Sequence, residues 1–373
     1  MRSLNLLIKP ASGACNLRCK YCFYTDVSAN RRVNHYGMMS RDTAKSIIRR
    51  ALKEARQVTF AFQGGEPTLW GLDHFRFFVE TAARLNTNHA EIHYALQTNG
   101  ILLNEDWAVF FKEHGFLIGL SLDGYKELHD VNRLDAAGRS SFSRVIKAAA
   151  LLRKAGVEYN ILSVVTSKTA RNPGKLYRFF QNQNFRFLQF IPCIDDFDST
   201  EKHLTADQYG QFLKTLFDLW FRSWISGQGV SIRYFDNLLY MFMGHPPEQC
   251  AMNGVCHVQF TIESDGGVYP CDFYALDQWR LGNIHTDAFE SMLASDVAGR
   301  FIAESRPLEE CARCRWFMLC RGGCKRDREP IRNGMPSPNR FCQAYKDFFS
   351  YSYERFVKLC AYPMLNIFSF KSR

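Results

Sequence analysis

Three cysteines near the start of the chain, spaced Cys15-x3-Cys19-x2-Cys22, are the residues whose types and spacing most directly indicate chemistry. Three thiolates placed this close together can bind three irons of a 4Fe–4S cluster and leave the fourth iron without a protein ligand. An iron with an open position can bind and react with a small molecule, whereas a fully ligated cluster mainly carries electrons. The spacing therefore predicts a reactive cluster.

Zinc and disulfide bonds are the alternatives for this motif. A structural zinc site needs four ligands, commonly in paired C-x2-C units, and the observed spacing fits it poorly. Disulfides would require an oxidising compartment, but the N-terminal sequence MRSLNLLIKP is too short and too polar for a signal peptide. We therefore interpret the three cysteines as iron–sulfur ligands.

A second group of eight cysteines lies in the C-terminal third of the chain. Eight thiolates are the number needed to bind two 4Fe–4S clusters with four ligands each. Two zinc sites with four thiolates each would use the same number, but the N-terminal motif favours iron–sulfur clusters here as well. The eight residues are Cys250, Cys256, Cys271, Cys311, Cys314, Cys320, Cys324 and Cys342.

Length and composition limit the class of protein. The 373 residues, of which 46 % are hydrophobic, suffice for about two domains or one barrel with an extension. No apolar run is long enough to span a membrane, so we expect a cytoplasmic protein with no membrane partner. The 47 Lys and Arg residues against 37 Asp and Glu give a net charge of +10, but the basic residues are scattered, and we expect no nucleic-acid partner.

Short β-rich runs alternate with amphipathic stretches through the first 235 residues. Candidate strands are 4–8, 58–62, 91–96, 116–122, 158–165 and 185–191. Candidate helices are 41–55, 73–85, 105–114, 142–155, 173–182 and 204–227, with Ser40 and Asn104 as N-caps of two of them. Six successive βα units predict an α/β fold, a partial (β/α)6 TIM-like barrel with its active site at the carboxyl ends of the strands.

The regular alternation stops beyond residue 232. The remaining chain consists of short pieces, turns and cysteines, which is typical of a small domain organised around metal. We therefore expect two domains, a barrel over 1–234 and, over 235–373, an auxiliary-cluster domain with a C-terminal helix.

A glycine-rich segment follows the second candidate strand. It reads GGEP and comprises Gly64, Gly65, Glu66 and a proline. Glycine lets the backbone approach a ligand closely, and a glutamate can accept hydrogen bonds from an ammonium group. Alone, GGEP would be an ordinary turn with a solvated glutamate. Beside a three-cysteine loop, we interpret it as a ligand-binding turn.

These motifs resemble a known family. The loop CNLRCKYC, with Tyr21 before its last cysteine, resembles the signature of the radical S-adenosylmethionine (SAM) superfamily. The later cysteines, from Cys256-x9-Gly266-x4-Cys271 to Cys342, resemble the seven-cysteine SPASM extension. The fuller resemblance, which includes FAFQGGEPTL, SIRYFD and SDGGVYPCDFY, is to the anaerobic sulfatase-maturating enzymes and covers nearly the whole chain.

The resemblance implies a partial (β/α)6 barrel followed by a SPASM domain, with SAM and three 4Fe–4S clusters as cofactors. Cys15, Cys19 and Cys22 would bind the cluster that cleaves SAM. The resemblance also implies how the other eight divide: one auxiliary cluster has Cys250, Cys256, Cys271 and Cys324, and the other has Cys311, Cys314, Cys320 and Cys342.

The resemblance further implies roles for single residues. Tyr21 would lie near the adenine of SAM, and Ser121 and Arg133 would contact its ribose and carboxylate, although each is also a common packing or surface residue. Asp272 would act as the general base, since it follows a cluster ligand and stands between aromatic and apolar neighbours that would raise its pKa. The alternative for Asp272 is a capped turn. Tyr24 and Gln63 would position the substrate.

The implied activity is oxidation of a Cys or Ser in an unfolded sulfatase to Cα-formylglycine without oxygen, through hydrogen abstraction at Cβ by a 5′-deoxyadenosyl radical. The implied partners are the sulfatase polypeptide and an electron donor such as flavodoxin or ferredoxin, and we expect a monomer. A SPASM enzyme that modifies another ribosomal peptide is the nearest alternative. A non-catalytic zinc protein that binds nucleic acid is the alternative of a different class.

Overall fold

Strands and helices alternate along the first part of the chain in this computed structural model, which describes residues 1–197, 199 and 201–361. The strands are β1 (Ser3–Ile8), β2 (Gln57–Phe62), β3 (Glu91–Thr98), β4 (Phe116–Ser121), β5 (Tyr159–Val165), β6 (Phe187–Pro192), β7 (Ser231–Ile232), β8 (Thr261–Ile262), β9 (Gly267–Tyr269) and β10 (Gly282–Asn283).

Helices separate these strands and make up most of the C-terminal part. They are α1 (Phe23–Ala29), α2 (Arg41–Glu54), α3 (Leu72–Leu85), α4 (Glu105–Glu113), α5 (Lys126–Asn132), α6 (Phe142–Lys154), α7 (Ser167–Ala170), α8 (Pro173–Asn182), α9 (Ala206–Ile225), α10 (Arg233–Phe242), α11 (Phe289–Leu293), α12 (Asp296–Ala303), α13 (Glu309–Ala312), α14 (Phe317–Cys320) and α15 (Cys342–Ala361). None of the helices within the described residues is long and apolar enough to cross a membrane.

The six candidate strands and six candidate helices are all present, each ending within two residues of its predicted bounds. Both predicted N-caps are also present. The Ser40 hydroxyl accepts a hydrogen bond from the backbone N–H of Thr43, and the Asn104 side chain accepts one from that of Trp107. Each cap satisfies a backbone donor that the first turn of a helix leaves unpaired.

The chain divides into two compact units that are interleaved in sequence. The first comprises 1–164, 193–203 and 257–304, and the second comprises 165–192, 204–256 and 305–361. The segment 257–304 belongs to the first compact unit although it lies beyond residue 234 in sequence, and the domain boundary expected there stays a prediction.

The first unit contains a sheet with strand order β10-β9-β8-β1-β2-β3-β4-β5. The strands from β1 to β5 pair in parallel with their neighbours, and β8 pairs in parallel with β1 on its other edge. The strands β8 to β10 were not predicted, since two or three residues are too few to show a period. The parallel pairing of β8 with β1 brings the residues that follow β8 to the end of β1 where the cysteine loop begins.

The core of the first unit explains why its strands are apolar. Alternate residues of β2 are fully buried, including Phe60 and Phe62, and their rings contact Phe78 of α3 edge to face at 5.0 Å. Parallel strands that are covered by helices bury large apolar side chains in this way. The buried rings hold the strand ends, and therefore the loops that carry the site, in fixed positions.

The second unit is mainly helical. Helices α9 and α15 pack together through aromatic side chains, with the ring of Phe217 4.8 Å from that of Phe356. Strands β6 and β7 pair in parallel within this unit. It carries seven of the eight C-terminal cysteines, and Cys271 belongs to the first unit.

Candidate active site

The cysteine loop follows β1 and ends where α1 begins, with Cys22 as the N-cap residue. Burial raises the pKa of the Cys15 thiol to about 12, and the nearby Glu66, Cys19 and Cys22 also raise it. Burial likewise raises the pKa of Cys19 to about 11, with Cys22 again nearby. Three cysteine side chains packed this closely, two of them where burial disfavours a free thiolate, fit a cationic iron cluster as their common partner.

The GGEP turn packs directly on the cysteine loop. Both of its glycines have positive φ, +92° at Gly64 and +55° at Gly65, a conformation that L side chains rarely adopt. A Cβ on Gly65 would lie 2.1 Å from the carbonyl oxygen of Ala14, and the backbone N–H of Glu66 donates to that same oxygen at 2.8 Å. The turn thus needs glycine, because the loop's backbone occupies the space of a side chain.

Glu66 is buried, and its carboxylate accepts hydrogen bonds from the chain itself. One oxygen accepts from the backbone and hydroxyl of Thr68 at 3.1 and 2.6 Å and from the Thr98 hydroxyl at 2.7 Å. The other accepts from the backbone N–H of Asn99 at 2.8 Å. Burial raises the pKa of Glu66. These contacts tie the turn to the end of β3, a structural role that the sequence did not indicate, and contact with a SAM ammonium stays a prediction.

Tyr21 and Arg133 lie side by side at the cysteine loop. The hydroxyl of Tyr21 donates to Asp123, and the Arg133 guanidinium lies over its ring, 5.5 Å from the centroid. Ser121, at the end of β4, accepts a hydrogen bond from the Gln97 side chain at 2.9 Å. The structure therefore brings Tyr21 and Arg133 together, and their contacts to SAM, like that of Ser121, stay predictions.

Asp272 lies in a buried polar group with Tyr24 and Gln63, and the roles of all three toward the substrate stay predictions. Its Oδ2 accepts from the Tyr24 hydroxyl at 2.6 Å and from Gln63 Nε2 at 3.1 Å, and Gln63 also donates to the Tyr24 oxygen at 2.7 Å. Its Oδ1 is buried and has no hydrogen-bond partner among the described residues. Burial raises the pKa of Asp272 to about 6, although Lys9 opposes the rise.

An unpaired, buried carboxylate oxygen is costly unless something else pairs with it. A thiol or hydroxyl of a bound substrate would supply the missing donor. The orphaned Oδ1, next to the cysteine that follows β9, thus fits a group that takes a proton from a ligand.

A buried ion group that sequence reasoning missed lies beside Asp272. Lys9 and Arg31 both pair with one oxygen of Glu263 at 2.5 Å, and all three side chains are almost fully buried. The Lys9 ammonium also lies 5.1 Å from the centre of the Tyr24 ring. Two cations and one anion leave one positive charge, which Asp272 balances. The available signal was position: Lys9 follows β1, and Glu263 follows β8.

The cysteines of the second unit form two separate groups. Burial raises the pKa of Cys320 to about 11, and the neighbours that raise it further are Cys342, Cys311 and Cys314. Burial also raises the pKa of Cys324, and its cysteine neighbours are Cys256 and Cys250. Within the described residues, no three His, Cys, Asp or Glu side chains converge closely enough to hold a single metal ion. These neighbours fit thiolate-ligated clusters, and the partition of the eight cysteines between two clusters stays a prediction.

Two family models match the chain. One, described as the radical SAM superfamily, matches residues 10–179, and the other, described as an iron–sulfur cluster-binding domain, matches residues 254–315. The first match contains the cysteine loop and the GGEP turn, and the second contains Asp272.

Curated relatives match almost the whole chain. A cysteine-type anaerobic sulfatase-maturating enzyme of Clostridium novyi (strain NT) is 49 % identical over 355 residues, which are 94 % of this chain and 95 % of the relative. A serine-type anaerobic sulfatase-maturating enzyme of Bacteroides thetaiotaomicron is 30 % identical over 374 residues, 94 % of this chain and 89 % of the relative.

A solved structure described as native anSMEcpe with bound AdoMet and Cp18Cys peptide superposes with a TM-score of 0.92 at 45 % identity. The match covers 96 % of this chain and 99 % of that one. Together with the two family models, this likeness confirms the predicted fold class, a partial TIM-like barrel with a SPASM domain.

Proposed function

The chain belongs to the anaerobic sulfatase-maturating enzymes of the radical SAM superfamily, and we propose that it oxidises a cysteine of an unfolded sulfatase to Cα-formylglycine without oxygen. Its cofactors are SAM and 4Fe–4S clusters. The proposed ligand sets for these clusters are one of three cysteines and two of four, divided as the resemblance implies. The observation that carries the proposal is the orphaned Oδ1 of Asp272 between Tyr24, Gln63 and Cys271.

The residues around Asp272 suit a cysteine substrate. When bound, SAM and the N-terminal cluster supply the 5′-deoxyadenosyl radical that removes a hydrogen atom from Cβ. Asp272 Oδ1 accepts the proton of the substrate thiol, while Tyr24 and Gln63 hold its Oδ2. The oxidation also removes one further electron, which the auxiliary clusters held by the C-terminal cysteines would accept. Loss of the hydrogen atom, the proton and this electron leaves a thioaldehyde, and water hydrolyses it to the aldehyde with release of the sulfur as hydrogen sulfide.

Similarity favours cysteine over serine as the residue oxidised. Relatives named cysteine-type enzymes are 47–49 % identical to the chain, whereas those named serine-type are 30–31 % identical. A thiol is also the more acidic group, so a carboxylate with a pKa of about 6 suits it better than it suits a hydroxyl.

The proposal includes the conditions under which the protein works. None of the thirteen cysteines, which all lie within the described residues, forms a disulfide bond, which suits the reducing cytoplasm. We propose that the enzyme acts as a monomer and receives electrons from a small carrier such as flavodoxin or ferredoxin. Analytical ultracentrifugation of the cluster-loaded protein would test the monomer, and reduction by each carrier in place of dithionite would test the donor.

Anaerobic mass spectrometry of two peptides tests the function. The reconstituted protein is incubated with SAM, dithionite and either a Cys-x-Pro-x-Arg or a Ser-x-Pro-x-Arg peptide. We expect the cysteine peptide to be converted to the aldehyde and the serine peptide to react more slowly, if it reacts at all. A peptide with Ala in place of Cys controls for unspecific oxidation.

The amounts of 5′-deoxyadenosine and of oxidised peptide together show which part of the proposal fails. If 5′-deoxyadenosine accumulates but neither peptide changes, the enzyme modifies a different class of peptide. Preferential oxidation of the serine peptide would overturn the proposed cysteine specificity. Absence of deoxyadenosine from protein with a full iron load would contradict the radical mechanism itself.

A further inference from the structure

Arg133 lies beside the N-terminal cysteine loop and is held there by hydrogen bonds of its neighbours and of its own side chain. The backbone N–H groups of Arg18 and Lys20 donate to the carbonyls of Leu134 and Asn132 at 2.8 and 3.1 Å, so the loop lies along the segment that contains Arg133. Within this pairing, Nη1 of Arg133 donates to the sulfur of Cys19 at 3.9 Å. Arg133 is buried there, with 8 % of the residue exposed.

The carboxylate of Asp123 holds the side chain of Arg133. Asp123 follows β4, is 1 % exposed, and its Oδ1 lies 3.2 Å from Nε of Arg133. The same carboxylate accepts from the Tyr21 hydroxyl and, at 3.2 Å, from the backbone N–H of Val164. Because Tyr21 and Val164 fix the carboxylate from two other segments, its charge can hold the guanidinium beside it.

A second set of hydrogen bonds holds the main chain of Arg133. The backbone N–H of Asp123 donates to Nδ1 of His129 at 3.3 Å, so this nitrogen is an acceptor and the proton lies on Nε2. Nε2 then donates to the hydroxyl of Ser141 at 2.8 Å, and this hydroxyl donates to the carbonyl of Arg133 at 2.6 Å. Burial lowers the pKa of His129 to about 4, in keeping with a neutral ring.

Both routes begin at Asp123 and end at Arg133, one at its guanidinium and one at its carbonyl. An arginine keeps its charge in any protein environment, so the arrangement places a permanent cation on the thiolate of Cys19. Extra negative charge on a reduced iron–sulfur cluster is shared by its sulfur ligands, and hydrogen bonds to those sulfurs raise the reduction potential.

We propose that Asp123, His129 and Ser141 are positioning residues that hold Arg133 on the sulfur of Cys19, where Arg133 favours the reduced state of the N-terminal cluster. The proposal rests on the assignment of Cys19 as a cluster ligand in the proposed function. It differs from the role that the resemblance gives Arg133, contact with the carboxylate of SAM, and the two roles have different consequences in protein that contains no SAM.

The test is a redox titration of the reconstituted full-length protein without SAM, followed by electron paramagnetic resonance. A variant with Cys15, Cys19 and Cys22 all changed to Ala supplies the auxiliary-cluster signals for subtraction. Arg133→Met, Asp123→Asn and Ser141→Ala are compared with the native chain. Arg139→Met is the matched control, because Arg139 is an exposed arginine of the same segment and pairs with Asp135 at 2.9 Å.

We expect Arg133→Met to lower the equilibrium constant for reduction of the N-terminal cluster on the order of tenfold, or about 59 mV for a one-electron couple. Asp123→Asn and Ser141→Ala should shift it in the same direction by less, and Arg139→Met should leave it unchanged. Dissociation constants for SAM, from equilibrium dialysis of the same proteins, complete the comparison.

Several outcomes would overturn the inference. An unchanged potential in Arg133→Met with weaker SAM binding would assign Arg133 to SAM instead. If Arg139→Met shifts the reduction potential as much as Arg133→Met does, the effect comes from overall charge and not from the contact with Cys19. If Asp123→Asn and Ser141→Ala both keep the native potential, these residues do not position Arg133. If Arg133→Met binds less iron than the native chain, its potential is not used, and the potentials of Asp123→Asn and Ser141→Ala test the proposal. The titration uses no peptide, so failure of aldehyde formation would leave its result standing.

Discussion

Asp272 is buried, and only one of its two carboxylate oxygens is hydrogen-bonded within the described residues. Its Oδ2 is held by Tyr24 and Gln63, while its buried Oδ1 has no partner among the described residues. We predict that Asp272→Asn still cleaves SAM but that aldehyde formed per deoxyadenosine falls by roughly 10²-fold or more, because the amide cannot accept the thiol proton. Chromatography of deoxyadenosine and mass spectrometry of the peptide measure both products.

Asp277→Asn is the control for that substitution. Asp277 is exposed, lies in the same segment and accepts a hydrogen bond from the backbone N–H of Arg32 at 2.8 Å. It should keep the native ratio of aldehyde to deoxyadenosine. Full aldehyde formation by Asp272→Asn would exclude Asp272 as the base.

The pKa of Asp272 makes the same ratio depend on pH. Burial raises this pKa to about 6, and only the ionised carboxylate, which predominates above that value, can accept a proton. Aldehyde per deoxyadenosine should therefore be constant above about pH 7, be half-maximal near pH 6 and fall further below it. Assays with the cysteine peptide between about pH 5.5 and about pH 8 test this, with peptide-free SAM cleavage as the reference. A ratio that is flat across this range would contradict the prediction.

Single residues also show what the sequence could predict. Asp272 was recognisable because it adjoins a cysteine with cluster spacing. Lys9 and Glu263 were not, since each alone resembles a surface residue, and their ion pair joins positions 254 apart in the chain. Glu66 was recognised as a site residue, but its bonds to Thr68, Thr98 and Asn99 depend on how two strand ends meet.

At the scale of elements, the contact between the GGEP turn and the cysteine loop sets the geometry of the first cluster. We predict that Gly65→Ala loses this cluster, because its Cβ would lie 2.1 Å from the Ala14 carbonyl oxygen and would push the loop away. Iron content after reconstitution should fall from about twelve to about eight atoms per chain, since the auxiliary ligands are untouched.

Gly37→Ala is the matched control for Gly65→Ala. Gly37 also has positive φ, +79°, but a Cβ there would meet no atom within 4 Å. It therefore adds the same kind of backbone strain without the clash. Equal iron loss in both variants would attribute the effect to strain alone, and full iron in Gly65→Ala would show that the loop adapts.

Long strands could be predicted from the sequence, whereas short ones could not. Strands β1 to β6 span six to eight residues and were found to within two residues, because their apolar pattern is set by burial between helices. Strands β8 to β10 have two or three residues, and their place beside β1 depends on pairing that no local pattern encodes. The same pairing places Glu263 at the site.

At the scale of the whole molecule, the two compact units are interleaved in sequence. For this reason the sequence does not predict which of the C-terminal cysteines share a cluster. Cys320 and Cys324 are four residues apart, yet their cysteine neighbours differ. Spacing alone would place both residues in one cluster. Only the folded chain, which brings Cys342 to Cys320 and Cys256 to Cys324, distinguishes the two arrangements.

Paired substitutions can decide between these arrangements, because a cluster survives with three thiolates, as at the N-terminal site, but not with two. Cys320→Ala with Cys342→Ala, or Cys256→Ala with Cys324→Ala, removes two ligands of one cluster and should leave about eight irons per chain. Cys320→Ala with Cys324→Ala removes one ligand from each cluster and should keep about twelve. Iron and sulfide analysis with Mössbauer spectra measures the difference. Should the last pair lose four irons while the first two pairs retain all, Cys320 and Cys324 would share a cluster and the partition would be wrong.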